Sequence, residues 1–413
     1  MTPQRKAPTH TSKSAGTPAS EAQSTDLPLT LLGGLSPAQF MRRHWQKKPL
    51  LVRQAIPGFK PLLSRAELFA LSQQEDVESR LIVQQRAEVN PPKAGTRARK
   101  AVSSAPAPGW TLAHGPFSKA SFPPLSQPGW TLLVQGVDLH ADPVHELMSR
   151  FRFVPDARLD DLMISWASEG GGVGPHFDSY DVFLLQASGR RRWRIGRQKD
   201  LSLEEGVPLK ILTHFVPEEE HVLEAGDMLY LPPRWAHDGI AEDEGCMTYS
   251  VGFRVPQRAS LAGELLLRMT DAFEDETLYR DASQPATANP AAMPPGLAAF
   301  AQEALERMLA DRQSLACALG EVMTEPKPKV WFDEPETDWA PTAVRLDRRT
   351  RMMYDDKHIF INGDGFRAAG ADARLMRQLA DARSLPAQAV SRATEAAQEL
   401  LAEWHSAGWL HMC

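Results

Sequence analysis

Residues 171–196, GGVGPHFDSYDVFLLQASGRRRWRIG, and residues 226–239, GDMLYLPPRWAHDG, decide how this 413-residue chain is read. The first sets His176 two positions before Asp178, and in a strand residues two apart point to the same side. His237 follows the turn PPRWA and can enter from an adjacent strand. Two histidines and one carboxylate match the facial triad that holds non-haem Fe(II) and leaves positions open for substrate and oxygen. Read blandly, His176 is a hydrogen-bonded core histidine and Asp178 a turn residue, since two-residue matches are common by chance. The glycines at 170–172 and 174, followed by Pro175, favour the ligand reading because they let the backbone bend tightly just before the pair.

The run GRRRWRI separates by parity. Arg190, Arg192 and Arg194 fall on one side of a strand, and Arg191, Trp193 and Ile195 on the other. If Trp193 and Ile195 face the core, so does Arg191. A buried guanidinium is costly unless a carboxylate meets it. That carboxylate is either an internal Asp or Glu or an anionic cosubstrate held through a bidentate, charge-assisted pair.

Around these segments, short β-type runs alternate with turn signals from 109 to 256: GWTLLVQGV, LMISWAS, DVFLLQA, RRRWRIG, DMLYLP and CMTYSVGFRV. This spacing predicts an all-β sandwich or barrel. Order begins near Leu29, with Ser36-Pro37 reading as an N-cap and a proline at the first helical position. Phe40 and Trp45 are expected to pack inward. Residues 1–28 carry too few large apolar side chains to offset the cost of ordering and read as a disordered tail. Residues 90–109, Pro/Ala-rich and basic, read as a flexible insertion.

After Pro256 the pattern becomes helical, in SLAGELLLRMTDAF and LAAFAQEALERMLADRQSLACALGEV. Those apolar faces pack within their own domain or suit self-association. From about 326, strand-like AVRLD and HIFING mix with helix-like ADARLMRQLADAR and TEAAQELLAEWHSAGW, predicting a small α+β, winged-helix-like domain. Residues 326–413 hold 12 Lys+Arg against 13 Asp+Glu, so there is no basic excess for phosphate binding.

The hydrophobic fraction of 42% and charged fraction of 24% are ordinary globular values, and no apolar run approaches the roughly 20 residues of a membrane span. Three scattered cysteines give no disulfide framework or thiolate site, and a reducing cytoplasm fits. Residues 1–110 carry 16 Lys+Arg against 7 Asp+Glu, leaving 30 against 45 in an acidic body that favours a basic partner. His114, His140, His145, His214 and His221 lack a glycine turn or carboxylate partner and read as structural or exposed.

The motifs GGVGPHFDSYDVF, GRRRW, GDMLYLPPRWAH and YSVGFR, with HWQKKPLL and HGPF, resemble those of the JmjC-type, cupin-fold oxygenases dependent on Fe(II) and 2-oxoglutarate. The likeness is specifically to the bacterial ribosomal oxygenases that hydroxylate an arginine of a large-subunit ribosomal protein, and it covers nearly the whole chain after the tail. It implies a double-stranded β-helix, or cupin jelly roll, over 29–256. It also implies a helical dimerisation region over 257–325 and a winged-helix-like domain over 326–413.

Carried over residue by residue, the resemblance makes His176, Asp178 and His237 the catalytic iron ligands, and Arg191 and Ser250 contacts of 2-oxoglutarate. O2 is the co-oxidant. Asp161, Met163 and Tyr180 would surround the target side chain, Asp161 pairing a guanidinium and Tyr180 stacking on it. From the residues alone, Met163 as core filler, Tyr180 as barrel packing and Asp161 as surface charge remain open. The implied partners are a basic ribosomal protein and a second copy of the chain, and direct nucleic-acid binding is not expected. Other outcomes compatible with the same cofactors are histidyl hydroxylation and lysine or arginine demethylation. A non-catalytic cupin scaffold is the remaining alternative.

Overall fold

The computed structural model describes residues 24–85 and 109–413. The expected tail lies outside the described residues as far as residue 23, and the expected insertion as far as residue 108.

Twelve strands build the first part of the chain: β1 (Leu50–Val52), β2 (Ser79–Gln85), β3 (Gly109–His114), β4 (Trp130–Val134), β5 (Leu159–Ala167), β6 (His176–Phe177), β7 (Val182–Ser188), β8 (Arg191–Arg197), β9 (Glu219–Leu223), β10 (Met228–Leu231), β11 (Trp235–Ala241) and β12 (Cys246–Phe253). They form an eight-stranded sheet, in the order β1-β10-β7-β12-β5-β4-β2-β3, and a four-stranded sheet, β6-β11-β8-β9. The two sheets enclose Val182, Leu184, Trp193, Ile195, Leu223, Leu229 and Leu231. Each of these alternates with residues pointing the other way, the period-two pattern of a strand with two different faces.

The other face of the large sheet carries the main core. Leu162, Ile164 and Trp166 of β5, Phe183 and Leu185 of β7, and Tyr249 and Val251 of β12 pack there. Helices α1 (Pro37–Arg43), α2 (Arg65–Leu71) and α3 (Asp142–Ser149) contribute Phe40, Leu68, Val144 and Leu147 to the same core. Phe40 is fully buried, with the rings of Tyr230 and Phe183 at 4.9 and 5.4 Å. The α1 start is the expected one: Ser36 Oγ accepts the Gln39 N–H, and Gln39 Oε1 accepts the Ser36 N–H. These two bonds satisfy donors that a helix N-terminus leaves free. The helix stops at Arg43, and after Pro49 the run LLV pairs with β10 as an edge strand.

Beyond β12 come α4 (Arg258–Asp271), α5 (Pro295–Ala310) and α6 (Arg312–Thr324). The sequence run 297–322 has one helical periodicity, yet the structure breaks it at Asp311. That residue leaves helical geometry at ψ 92° and caps α6 through the Gln313 and Ser314 N–H groups. The local capping bonds outcompete continuation, a known preference of Asp.

The last part holds α7 (Gly370–Ala382), α8 (Ala387–Ser391) and α9 (Glu395–Ser406) with two small three-stranded sheets. Met376, Leu379, Leu401 and Trp404 form its own core. AVRLD and HIFING contribute the strands Val344–Leu346 and His358–Ile361, giving the expected winged-helix-like α+β unit. Among the described residues, no helix is long and apolar enough to cross a membrane.

Candidate active site

Strand register brings the sequence candidates together. His176 of β6 lies opposite His237 of β11, which lies opposite Ile195 of β8; Gly239 faces Trp193, and Ala241 faces Arg191. Residues opposite one another in a ladder point to the same side. Trp193 and Ile195 belong to the cluster between the sheets, so His176, His237 and Arg191 also point inward. His237 enters from β11, the strand adjacent to β6, as its position after PPRWA suggested.

Gly174 has φ +77°, the left-handed geometry that glycine adopts without penalty, so the chain can turn immediately before His176. The donor atoms of His176, Asp178 and His237 all lie within 4.8 Å of one another. His237 Nε2 is 3.7 Å from Asp178 Oδ2, and the two imidazole centroids are 4.2 Å apart.

Each imidazole has its Nδ1 against a main-chain carbonyl: His176 on Gly174 O and His237 on Trp235 O, both at 2.9 Å. A carbonyl only accepts, so Nδ1 donates to it and Nε2 is left as the nitrogen for a metal. Burial, and then the neighbouring His176, hold His237 down at about 4, so it remains neutral near pH 7. Two imidazole nitrogens oriented by main-chain bonds, with one carboxylate oxygen, are the donor set of a 2-His-1-carboxylate iron site.

Arg191 is 4% exposed, and its Nε and Nη2 atoms have no hydrogen-bond partner among the described residues. Its nearest aromatic companion is the Trp193 ring, at 5.7 Å. The alternative of an internal salt bridge is therefore absent: no described carboxylate pairs with it. The other arginines of GRRRWRI point outward to acids, Arg190 to Asp243, Arg192 to Glu220 and Glu242, and Arg194 to Asp238. A buried, unpartnered guanidinium fits an anionic cosubstrate that completes its hydrogen bonds.

The opposite wall is the large sheet. Ser250 of β12 lies in register with Met163 of β5 and Leu184 of β7, and Leu184 belongs to the inner cluster, so Ser250 and Met163 face the same interior. Asp161 shares the parity of Met163 and is 8% exposed, which excludes an ordinary surface charge. Its Oδ2 accepts the Gly136 N–H at 3.1 Å. Tyr180 is 39% exposed, so it is not barrel packing. Burial, then the charges of Asp178 and Asp161, push its phenol above the ordinary range.

Two neighbours of the site were not among the sequence candidates. Gly239 makes room for Trp193, and the Lys327 ammonium lies 3.7 Å from Asp161 Oδ2. The register opposite GRRRW carried a signal for Gly239. Nothing in the sequence links Lys327 to a residue so distant in the chain.

Residues 146–261 match the JmjC domain and residues 307–411 the ROXA-like winged helix. The chain is 33% identical over 308 residues to the ribosomal protein uL16 3-hydroxylase of Escherichia coli (strain K12), spanning 74% of this chain and 76% of that one. The chain belongs to the JmjC-type ribosomal oxygenases.

A probable ribosomal oxygenase of Haemophilus influenzae is 35% identical over 232 residues, covering 55% of this chain and 52% of that protein. YcfD, a ribosomal oxygenase from E. coli solved in complex with cobalt and 2-oxoglutarate, superimposes with a TM-score of 0.73 at 28% identity. That match covers 91% of this chain and 98% of YcfD. This ribosomal oxygenase accordingly uses Fe(II), 2-oxoglutarate and O2, and its jelly roll carries the His-Asp-His set that the metal needs.

Proposed function

We propose that this protein hydroxylates an arginyl side chain of a large-subunit ribosomal protein. The observation that carries this reading is Asp161, a buried carboxylate that shares the strand face of Met163 and lies near enough to Tyr180 for its charge to act on the phenol, an acid and a ring that would together recognise a cationic planar side chain. The relative named for uL16 3-hydroxylation supports a ribosomal protein as substrate.

His176, Asp178 and His237 would hold the iron, and Arg191, with Ser250, the cosubstrate. Bound Fe(II) with 2-oxoglutarate and O2 supplies the oxidant that replaces a C–H hydrogen by hydroxyl, 2-oxoglutarate leaving as succinate and CO2. The chain's own contribution is placement. Arg191 fixes the far carboxylate of the cosubstrate, while Trp193 and Leu184 line a dry interior. Asp161 and Tyr180 hold the guanidinium so that one carbon of the arginyl chain is presented to the metal face.

Incubation with Fe(II), 2-oxoglutarate and candidate ribosomal proteins should yield succinate and a tryptic peptide one oxygen atom heavier at an arginine. Formaldehyde release would indicate demethylation instead, and a modified histidine the histidyl reading. Absence of both product and succinate would remove the enzymatic reading.

We also infer a homodimer formed through the helical segment. Leu267, Leu278 and Met293 are 70%, 78% and 72% exposed there, and Leu305 and Leu309 of α5 are exposed as well. This many exposed apolar side chains in one segment favours a second copy of the chain. Light scattering should give twice the monomer mass, and Leu267→Glu with Leu305→Glu should halve it.

A further inference from the structure

Asp161 is not empty-handed. Lys327, from the segment PKPK (326–329) between α6 and the strand Val344–Leu346, places its ammonium 2.9 Å from Asp160 Oδ1 and 3.7 Å from Asp161 Oδ2. Among the described residues it is the sole cation within 4 Å of Asp161. The carboxylate is otherwise half used: Oδ2 accepts the Gly136 N–H, and Oδ1 has no donor among the described residues. Asp161 and Lys327 both line a groove of about 660 Å³, with Glu78, Gln135 and Gly136 from one side and Val330 and Trp331 from the other.

Resting on the arginyl reading above, we propose that Lys327 is a resident competitor for Asp161 and determines the preference for a guanidinium over an ammonium. A guanidinium reaches full strength only by bonding both carboxylate oxygens in parallel. Oδ1 is open, and Oδ2 is shared with Lys327. The lysine has an alternative place, because its shorter contact is to Asp160, which is also 3.5 Å from Arg254 Nε. Retreat onto Asp160 therefore strands no charge, and Asp161 becomes fully available to the incoming side chain.

An ammonium offers Asp161 a single point charge, which Lys327 already supplies, so exchange gains little. A guanidinium adds a second, parallel bond and displaces it. The flanking prolines, Pro326 and Pro328, fix their own φ angles and limit how far the segment can wander. The lysine is thus held beside Asp161 by backbone stiffness as well as by charge.

The test uses anaerobic holoenzyme with Fe(II) and 2-oxoglutarate, so that binding is read without turnover. Fluorescein-labelled basic peptides carrying one central arginine, lysine or citrulline are titrated and followed by anisotropy. Wild-type protein is expected to favour arginine over both others. Lys327→Met is expected to bind the arginine peptide about twofold to fivefold more tightly, the range for losing a partly exposed ion-pair competitor. The lysine peptide should gain still more, so that the arginine-over-lysine ratio falls. Lys327→Arg, which keeps a cation there, should not tighten binding.

Unchanged or weaker binding by a folded Lys327→Met protein, or an unchanged arginine-over-lysine ratio, overturns the proposal. Lys327→Gln provides the same readings if the methionine variant does not fold. Wild-type protein that fails to separate arginine from citrulline would overturn the arginyl reading instead.

Discussion

Gly239 lies directly across the β8–β11 ladder from Trp193, and a Cβ placed on it would sit 2.6 Å from the indole ring. The ring occupies the space a side chain would take, in the same row as His237 and Arg191. Gly239→Ala must push the body of the indole, not the free end of a flexible chain. Overpacking of this kind costs about 1–3 kcal/mol. Thermal denaturation should show a lowered Tm. 2-Oxoglutarate affinity should fall with it, because the displaced ring is Arg191's nearest aromatic companion. An unchanged Tm would mean that the small sheet yields more readily than its register suggests.

Arg191→Met keeps an apolar stem of similar length and removes a guanidinium that has unpartnered Nε and Nη2 atoms. Replacing an unpaired buried charge by a packed hydrophobic side chain is commonly neutral or stabilising. The variant should therefore fold at least as well as wild type and still bind Mn(II) as an iron substitute. Its affinity for 2-oxoglutarate should drop about a hundredfold or more, the scale of a truncated, desolvated charge pair. Calorimetric titration of metal and cosubstrate separately checks both halves. Loss of metal binding along with cosubstrate would show that Arg191 supports the triad instead.

Much of this site was legible because strands encode direction in parity. The inward Arg191 and the outward Arg190, Arg192 and Arg194 follow from a period of two, and the structure reproduces that alternation; β6 ends at Phe177, and Asp178 joins His176 and His237 from just beyond it. Metal-site glycines were legible for a related reason, since a tight turn before a ligand requires them. Contacts that join distant segments were not. Lys327 reaches Asp161 across 166 positions of sequence, and neither periodicity nor local composition carries that information. The break at Asp311 was hidden for a different reason: helical periodicity continues through it, and only the capping bonds of its side chain reveal the end. The short strands β1 and β6 escaped notice because two or three residues show no alternation.

Asp138 is fully buried and accepts the Leu162 N–H at 2.7 Å. Burial, reinforced by the charge of Asp161, pushes its carboxyl up to about 7 from an ordinary value near 3.8. The folded state therefore retains a proton that the unfolded chain has already lost. The contribution to stability is fully present below about pH 4 and is lost as pH rises towards 7. Asp138→Asn keeps an oxygen for Leu162 and cannot ionise. It should be more stable than wild type at pH 8, by on the order of 4 kcal/mol, and nearly equal to it at pH 4. Urea denaturation at the two pH values gives the comparison, and equal differences at both would refute the assigned shift.

Asp161→Asn separates recognition from the chemistry of the cosubstrate. Amide and carboxylate have almost the same shape, and the Asn oxygen can still accept the Gly136 N–H that Asp161 Oδ2 now takes. What disappears is the negative charge proposed to face an arginyl guanidinium, together with the symmetric pair of acceptor oxygens. A desolvated charge-assisted pair contributes about 2–5 kcal/mol, so kcat/KM for an arginine-bearing peptide should fall by roughly thirtyfold to a few thousandfold. His176, Asp178, His237 and Arg191 are untouched. Slow substrate-independent conversion of 2-oxoglutarate to succinate should persist, while the peptide no longer stimulates it. Measuring succinate and peptide mass in the same reaction distinguishes the cases: loss of both signals, basal succinate included, would place Asp161 in support of the metal site and not in substrate recognition.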